Sequence, residues 1–176
     1  MKSYLIDYSD WFDEGGSCQV YPIKNKKEWV FKEFRSKKKA QESYKYHKLL
    51  EKFDLAPKIH SKITKLDFAE EGGLTITEPS DWGYITEYAK THEANTKISM
   101  ASIQKLVNDI HEKTGLKFWD CHWYNVGLVL RGQKKKLVCI DTGKESFSGI
   151  SNAWGFAEPG PKCNYCNKYQ CNCSEN

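Results

Sequence analysis

A chain of 176 residues, 39% hydrophobic and 14% aromatic, holds enough apolar material for one domain with a core, or one domain plus a small appendage. Charged residues reach 28% in mixed signs, which excludes a disordered polyelectrolyte, and a net charge of +4 tolerates an anionic ligand while arguing against a nucleic-acid partner. No run is apolar enough to span a membrane, and Asp7, Asp10 and Asp13 do not suit a secretory signal, so a cytoplasmic chain with reduced cysteines and no membrane partner is expected.

In chain order, Gly15-Gly16 opens a turn, residues 18–23 form a short β-prone run, 24–27 a polar turn, and 28–34 a second strand. Ser36 precedes a helical stretch to about Phe53, with Tyr46, Leu49, Leu50 and Phe53 on one stripe. Leu55-Ala56-Pro57 breaks that helix, 58–65 reads as extended, and Gly72-Gly73 marks a hairpin-like turn. Residues 83–89 read as a buried strand ending in a more polar connector. Ser99 or Ser102 can cap a second helix carrying Ile103, Leu106, Val107 and Ile110, which ends near Gly115. Strands at 126–130 and 136–140 flank the Arg131-Gly132 turn. From Ser146 onward the composition turns to Gly, Ser, Asn and Pro, then to a cysteine cluster. The order is α+β rather than strictly alternating.

The densest chemical signal is Asp120-Cys-His-Trp-Tyr-Asn125-Val-Gly127, between the second helix and the hairpin, with Asp141 just past the hairpin in Cys-Ile-Asp-Thr-Gly. Phosphoryl transfer needs a group to take or orient the proton of the attacking hydroxyl, and ligands for magnesium on the phosphates. One Asp, an Asn five residues on and a second Asp supply those parts.

In these motifs the chain resembles the protein-kinase superfamily, nearest the compact aminoglycoside and choline phosphotransferase type with its Asp-x-His-x-x-Asn loop. The resemblance covers roughly residues 13–145 and implies a minimal bilobal kinase-like fold: an antiparallel-sheet N-lobe with one helix and hinge over residues 1–89, and a reduced helical C-lobe with the catalytic loop over 90–150. It implies Asp120 as catalytic base, Asn125 and Asp141 as magnesium ligands, and Asp141-Thr142-Gly143 in the place of Asp-Phe-Gly. Trp29-Val30-Phe31-Lys32 ends in the lysine that would grip the phosphates of ATP. Helix periodicity chooses its carboxylate partner: Glu42 falls on the stripe of Tyr46, Leu49, Leu50 and Phe53, whereas Glu51 lies on the opposite side and is expected to face solvent. Gly15-Gly16-Ser17-Cys18-Gln19-Val20 resembles the Gly-Gly-x-x-x-Val-Tyr phosphate-covering loop, with Gly15, Gly16, Ser17 and Val20 touching nucleotide. Thr86-Glu87-Tyr88-Ala89 fits the hinge, where the backbone of Glu87 and Ala89 would pair with adenine.

The chain departs from regulated protein kinases at Phe118-Trp119, which stand where those carry His-Arg, so control by activation-loop phosphorylation is not expected. His122 is read as packing or hydrogen bonding within the loop. None of the stretch after Asp141 reads as the helices of a full substrate lobe, so a protein partner that completes it is one expectation. Residues 151–176 carry Cys163-x-x-Cys166-x4-Cys171-x-Cys173, a spacing that suits tetrahedral structural zinc in a knuckle-like turn, with an iron–sulfur cluster or an adaptor surface as alternatives. Arg35, Lys37, Lys38 and Lys39 form a basic run, either a solvated face or a patch for acidic partners. The function expected is ATP- and magnesium-dependent transfer of the γ-phosphate to a hydroxyl, preferentially of a protein serine or threonine. The alternatives are a non-catalytic nucleotide-binding module, a small-molecule kinase, and, ranked last, a zinc-bearing nucleic-acid binder.

Overall fold

In the computed structural model, which describes residues 4–7, 13–14, 18–69, 75–91 and 98–147, the first unit grows from a tight turn at Asn25. The phosphate-loop positions Gly15, Gly16 and Ser17, and the tail cysteines 163, 166, 171 and 173, lie outside the described residues. The chain divides into two compact units, residues 1–89 and 90–176, and its class is α+β.

Asn25 has a φ of 63°, a left-handed conformation that Asn tolerates better than most residues. It closes a hairpin between β3 (Gln19–Ile23) and β4 (Lys26–Phe34). Because the turn is this tight, β4 begins at Lys26, two residues before the sequence suggests. The seven-stranded sheet also contains β1 (Leu5–Asp7), β2 (Asp13–Glu14), β5 (Asp67–Ala69), β6 (Thr75–Pro79) and β7 (Trp82–Glu87), in the order β6-β5-β1-β3-β4-β7, with β2 paired to β3. The expected sheet was antiparallel throughout; the observed one is mixed, because β1 runs parallel to β5. A parallel pair needs a long crossover, and the chain from β2 through the first helix to β5 provides it.

Strand β4 is buried on both faces. On one, Phe31 packs with Ile6, Tyr21, Ile23 and Ile85. On the other, Phe34 packs with Tyr84 and with Ala40 of helix α1 (Lys37–Glu51). Ser36 caps α1 as its spacing predicts, its hydroxyl accepting from the Lys39 N–H at 3.3 Å. The buried face of α1 is Ala40, Ser43, His47 and Leu50, rather than the stripe through Leu49, which is 36% exposed. Glu51 does not point away into solvent; its carboxylate accepts the Ile59 N–H at 2.9 Å. After α1, residues 58–65 run along the free edge of β7: His60 N–H donates to Ile85 O, Glu87 N–H to Lys58 O, and Gly83 and Thr64 exchange two bonds.

Two polar side chains lie inside this layer because they satisfy each other. His47 Nε2 is 2.8 Å from the Pro57 carbonyl, which can only accept, so the ring proton is on Nε2. Its Nδ1 therefore accepts from Tyr84 Oη at 3.1 Å, and Tyr84 Oη in turn receives the Ser43 hydroxyl at 3.0 Å. Burial, and second the nearby Lys32 charge, pull the His47 pKa down from 6.5 to about 3. Above pH 6.5 the imidazole is neutral folded or unfolded, and nothing is lost. Below it the unfolded chain takes up a proton that the folded chain refuses, so stability is expected to fall by about 1.4 kcal/mol per pH unit down to about pH 3. Urea unfolding at pH 7, 5.5 and 4.5 should show this acid limb in the wild type and a shallower one in His47→Gln. Coincident limbs would rule this imidazole out as their source.

In the second unit, α2 (Met100–Thr114) is capped by Ser99, whose hydroxyl accepts from the Ser102 N–H, and ends at Gly115 with φ 72°. Its inward residues Ile103, Leu106, Val107 and Ile110 are buried, and the helix packs on the hairpin β8 (Val126–Arg131) and β9 (Lys134–Cys139) through β9. Phe118 and Phe147 close the core, their rings 5.6 Å apart.

Candidate functional site

The candidate residues fall into two groups, one in each unit. In the second unit the loop from Gly115 to Asn125 ends in a 3₁₀ turn, Trp123–Asn125, started by His122, whose Nδ1 accepts the Tyr124 N–H at 3.2 Å. The other ring nitrogen, Nε2, lies 3.3 Å from Asp120 Oδ1. His122 thus hydrogen bonds within the loop, with Asp120 beside it. Asn125 Nδ2 donates to the Asp120 carbonyl at 2.9 Å and approaches His122 Nε2 at 3.0 Å.

Asp141 joins the same cluster through the backbone. The Asn125 carbonyl accepts the N–H of Ile140 at 2.9 Å and of Asp141 at 3.4 Å, where β9 ends beside the start of β8. The Asp141 carboxylate is fixed at both oxygens: Oδ1 accepts the Gly143 N–H at 3.0 Å and Oδ2 the Ser146 hydroxyl at 2.9 Å. Ser146 closes the circuit, its carbonyl accepting the Trp119 N–H at 2.9 Å and the Asp120 N–H at 3.5 Å. Asp120, Asn125 and Asp141 are therefore held in one hydrogen-bonded knot. Ser146, which no motif singles out, ties the loop to the segment after β9; a serine in a Gly/Ser/Asn-rich stretch carries no signal of that role. Cys121 is buried in this loop, and its thiol pKa is pushed up to about 11, chiefly by burial, so it stays an unreactive thiol at neutral pH.

Asp120, Asn125 and Asp141 offer side-chain oxygens, the hard donors that magnesium prefers over thiol or imidazole. Among the described residues no group of three or more His, Cys, Asp or Glu could hold a metal ion by itself. An ion taken by Asn125 and Asp141 would complete its shell with phosphate oxygens and water, as magnesium does on nucleotides. The aromatic side chains between Asp120 and Asn125 are exposed, Trp123 by 40% and Tyr124 by 69%.

In the first unit Lys32 lies in mid-strand on β4, only 6% exposed. Its cross-strand neighbours are Val20 on β3 and Tyr84 on β7, so the three side chains share the face that α1 covers. Val20, one of the expected nucleotide contacts, is thus adjacent to Lys32. Glu42 is half-buried on α1, and it makes no ion pair among the described residues. Glu87 ends β7, its N–H bonded to Lys58 O and its carboxylate to the Lys58 N–H at 3.1 Å. Two residues on, Ala89 is buried, and its N–H has no hydrogen-bond acceptor among the described residues. No protein-family model matches the chain, and no curated protein matches it significantly.

Proposed function

We propose that this chain is a minimal kinase, an ATP- and magnesium-dependent phosphotransferase that moves the γ-phosphate to a hydroxyl, that of a protein serine or threonine. The observation that carries the reading is the knot joining Asp120, Asn125 and Asp141, which unites a carboxylate suited to a proton with two oxygen ligands suited to magnesium. Asp120, beside His122, would accept or align the proton of the attacking hydroxyl. Asp141 keeps lone pairs on both oxygens beyond its two hydrogen bonds, and Asn125, its amide nitrogen engaged, would offer Oδ1. Magnesium held there would neutralise charge on the β- and γ-phosphates.

Lys32 would grip the phosphates, with Glu42 as its carboxylate partner. Gly15, Gly16, Ser17 and Val20 would cover the nucleotide, while the backbone of Glu87 and Ala89 would pair with adenine, a reading helped by an Ala89 N–H that has no acceptor among the described residues. A buried lysine flanked by Val20 on a sheet face supports this assignment. Cys163, Cys166, Cys171 and Cys173 would hold a structural zinc, on the strength of their spacing alone.

With magnesium and ATP labelled in the γ-phosphate, the purified chain is expected to label itself or a Ser/Thr-rich protein acceptor, and Asp120→Ala to lower that rate by about 10²–10⁴-fold. Nucleotide binding without transfer would replace the enzyme with a non-catalytic binding module. Label found only on small alcohols would make the acceptor a small molecule.

A further inference from the structure

A buried ammonium must be hydrogen bonded, and its direction is set by whatever polar atoms line its surroundings. For Lys32 those surroundings follow from the sheet register. Tyr84 is its cross-strand partner on β7, fully buried, with its phenol stacked 5.7 Å from the Phe34 ring. From α1, Ser43 and His47 both reach that phenol, at 3.0 and 3.1 Å. We propose that the Ser43–Tyr84–His47 chain positions the Lys32 ammonium, making these three residues positioning groups for the phosphate-gripping lysine. The proposal extends the phosphotransferase reading and rests on it for the lysine's role.

Three features favour a positioning role over mere core packing. The chain is directional: Pro57 O fixes the imidazole proton, the imidazole fixes the phenol hydrogen, and the phenol fixes the serine hydrogen. The hydrogen of each hydroxyl is thereby directed away from any further donor, so that an ammonium beside the chain meets oxygen lone pairs rather than O–H groups. The chain is also uncharged, since burial keeps His47 neutral; a protonated imidazole at this position would repel Lys32. Finally, Ser43 and His47 occupy the fully buried positions of α1, whereas Glu42 flanks that face half-buried.

The test measures Lys32 directly and then through catalysis. Acylation of lysines by a soluble activated ester, read by peptide mass spectrometry, gives the Lys32 rate relative to exposed Lys134. Tyr84→Phe and Ser43→Ala are each expected to change that ratio at least threefold. Thr86→Val, which removes a part-buried hydrogen bond from β7 to Lys58 O, should leave it within 1.5-fold. Equal changes in all three variants would reduce the chain to packing and overturn the proposal. In the transfer assay, Tyr84→Phe should lower the rate at least tenfold with the ATP dissociation constant changed less than threefold. In a Lys32→Met background the same substitution should change the rate less than twofold. The same factor in both backgrounds would also overturn it. A wild-type chain that transfers no phosphate would defeat the phosphotransferase reading, and the acylation ratio would still decide whether the chain positions Lys32.

Discussion

Asp141→Asn is expected to slow phosphate transfer by about 10²–10³-fold, the cost of losing one preorganised charge in a phosphoryl-transfer site. The geometry adds a second term. Both carboxylate oxygens accept hydrogen bonds, from the Gly143 N–H and the Ser146 hydroxyl. An amide presents an NH₂ to one of these donors, so one bond is lost or the serine must turn. If Ser146 turns, its carbonyl moves as well, and that carbonyl holds the Trp119 and Asp120 N–H groups. The variant should therefore lose about 1–3 kcal/mol of stability as well. Initial rates over a magnesium and manganese titration, together with thermal unfolding, separate the two effects: the magnesium requirement should shift upward even at temperatures where the variant is fully folded. A wild-type rate with unchanged metal dependence would remove Asp141 from the site.

Gly83→Ala is expected to be strongly destabilising for a single added methyl. A Cβ at Gly83 would overlap the Lys32 carbonyl oxygen and lie 2.6 Å from Phe31 Cζ and 2.9 Å from the Lys32 carbonyl carbon. Two of those three atoms are backbone, so no rotamer change relieves the contact. Strand β7 cannot move away either, because Gly83 N–H and C=O are both bonded to Thr64 on the other side, at 2.9 and 2.8 Å. The expected loss is about 3 kcal/mol or more, at the upper end for overpacking, read as the shift in urea midpoint at unchanged slope. A loss below about 0.5 kcal/mol would mean that β4 and β7 separate more easily than this register implies. Any displacement would fall on Lys32, so transfer activity should decline in parallel.

What the sequence reveals is what depends on neighbours along the chain. Ser36, Ser99 or Ser102, and Gly115 mark helix ends because capping is decided within four residues, and the structure has Ser36, Ser99 and Gly115 as the caps. The hairpin around Gly132 is equally local. The three-residue strands β1 and β5 are not legible, since their pairing joins residues about sixty apart and three residues carry no period. The face of α1 misleads for a different reason. A hydropathy stripe counts Ser43 and His47 as polar and so selects Leu49, yet both are buried, matched by a phenol that arrives from β7. The same blindness sends Glu51 to solvent, although the Ile59 N–H, eight residues on, takes its carboxylate. For the candidate site, Asp120, Asn125 and Asp141 are visible as a spaced set, but the hydrogen bonds that gather them run through backbone carbonyls and Ser146, which leave no mark in the residue pattern.

The strap of residues 58–65 along β7 has one more effect. A bare outer strand offers a row of unsatisfied amides and carbonyls that a second molecule can extend, the usual first step towards cross-β polymers. Here Thr64 engages both the N–H and the C=O of Gly83, His60 N–H and the Ser61 hydroxyl oxygen take the C=O and N–H of Ile85, and Lys58 O takes the Glu87 N–H. The hydrophobic strand beside the lysine is thus closed to strand addition, which guards a small protein with an aromatic-rich sheet against polymerising through that side.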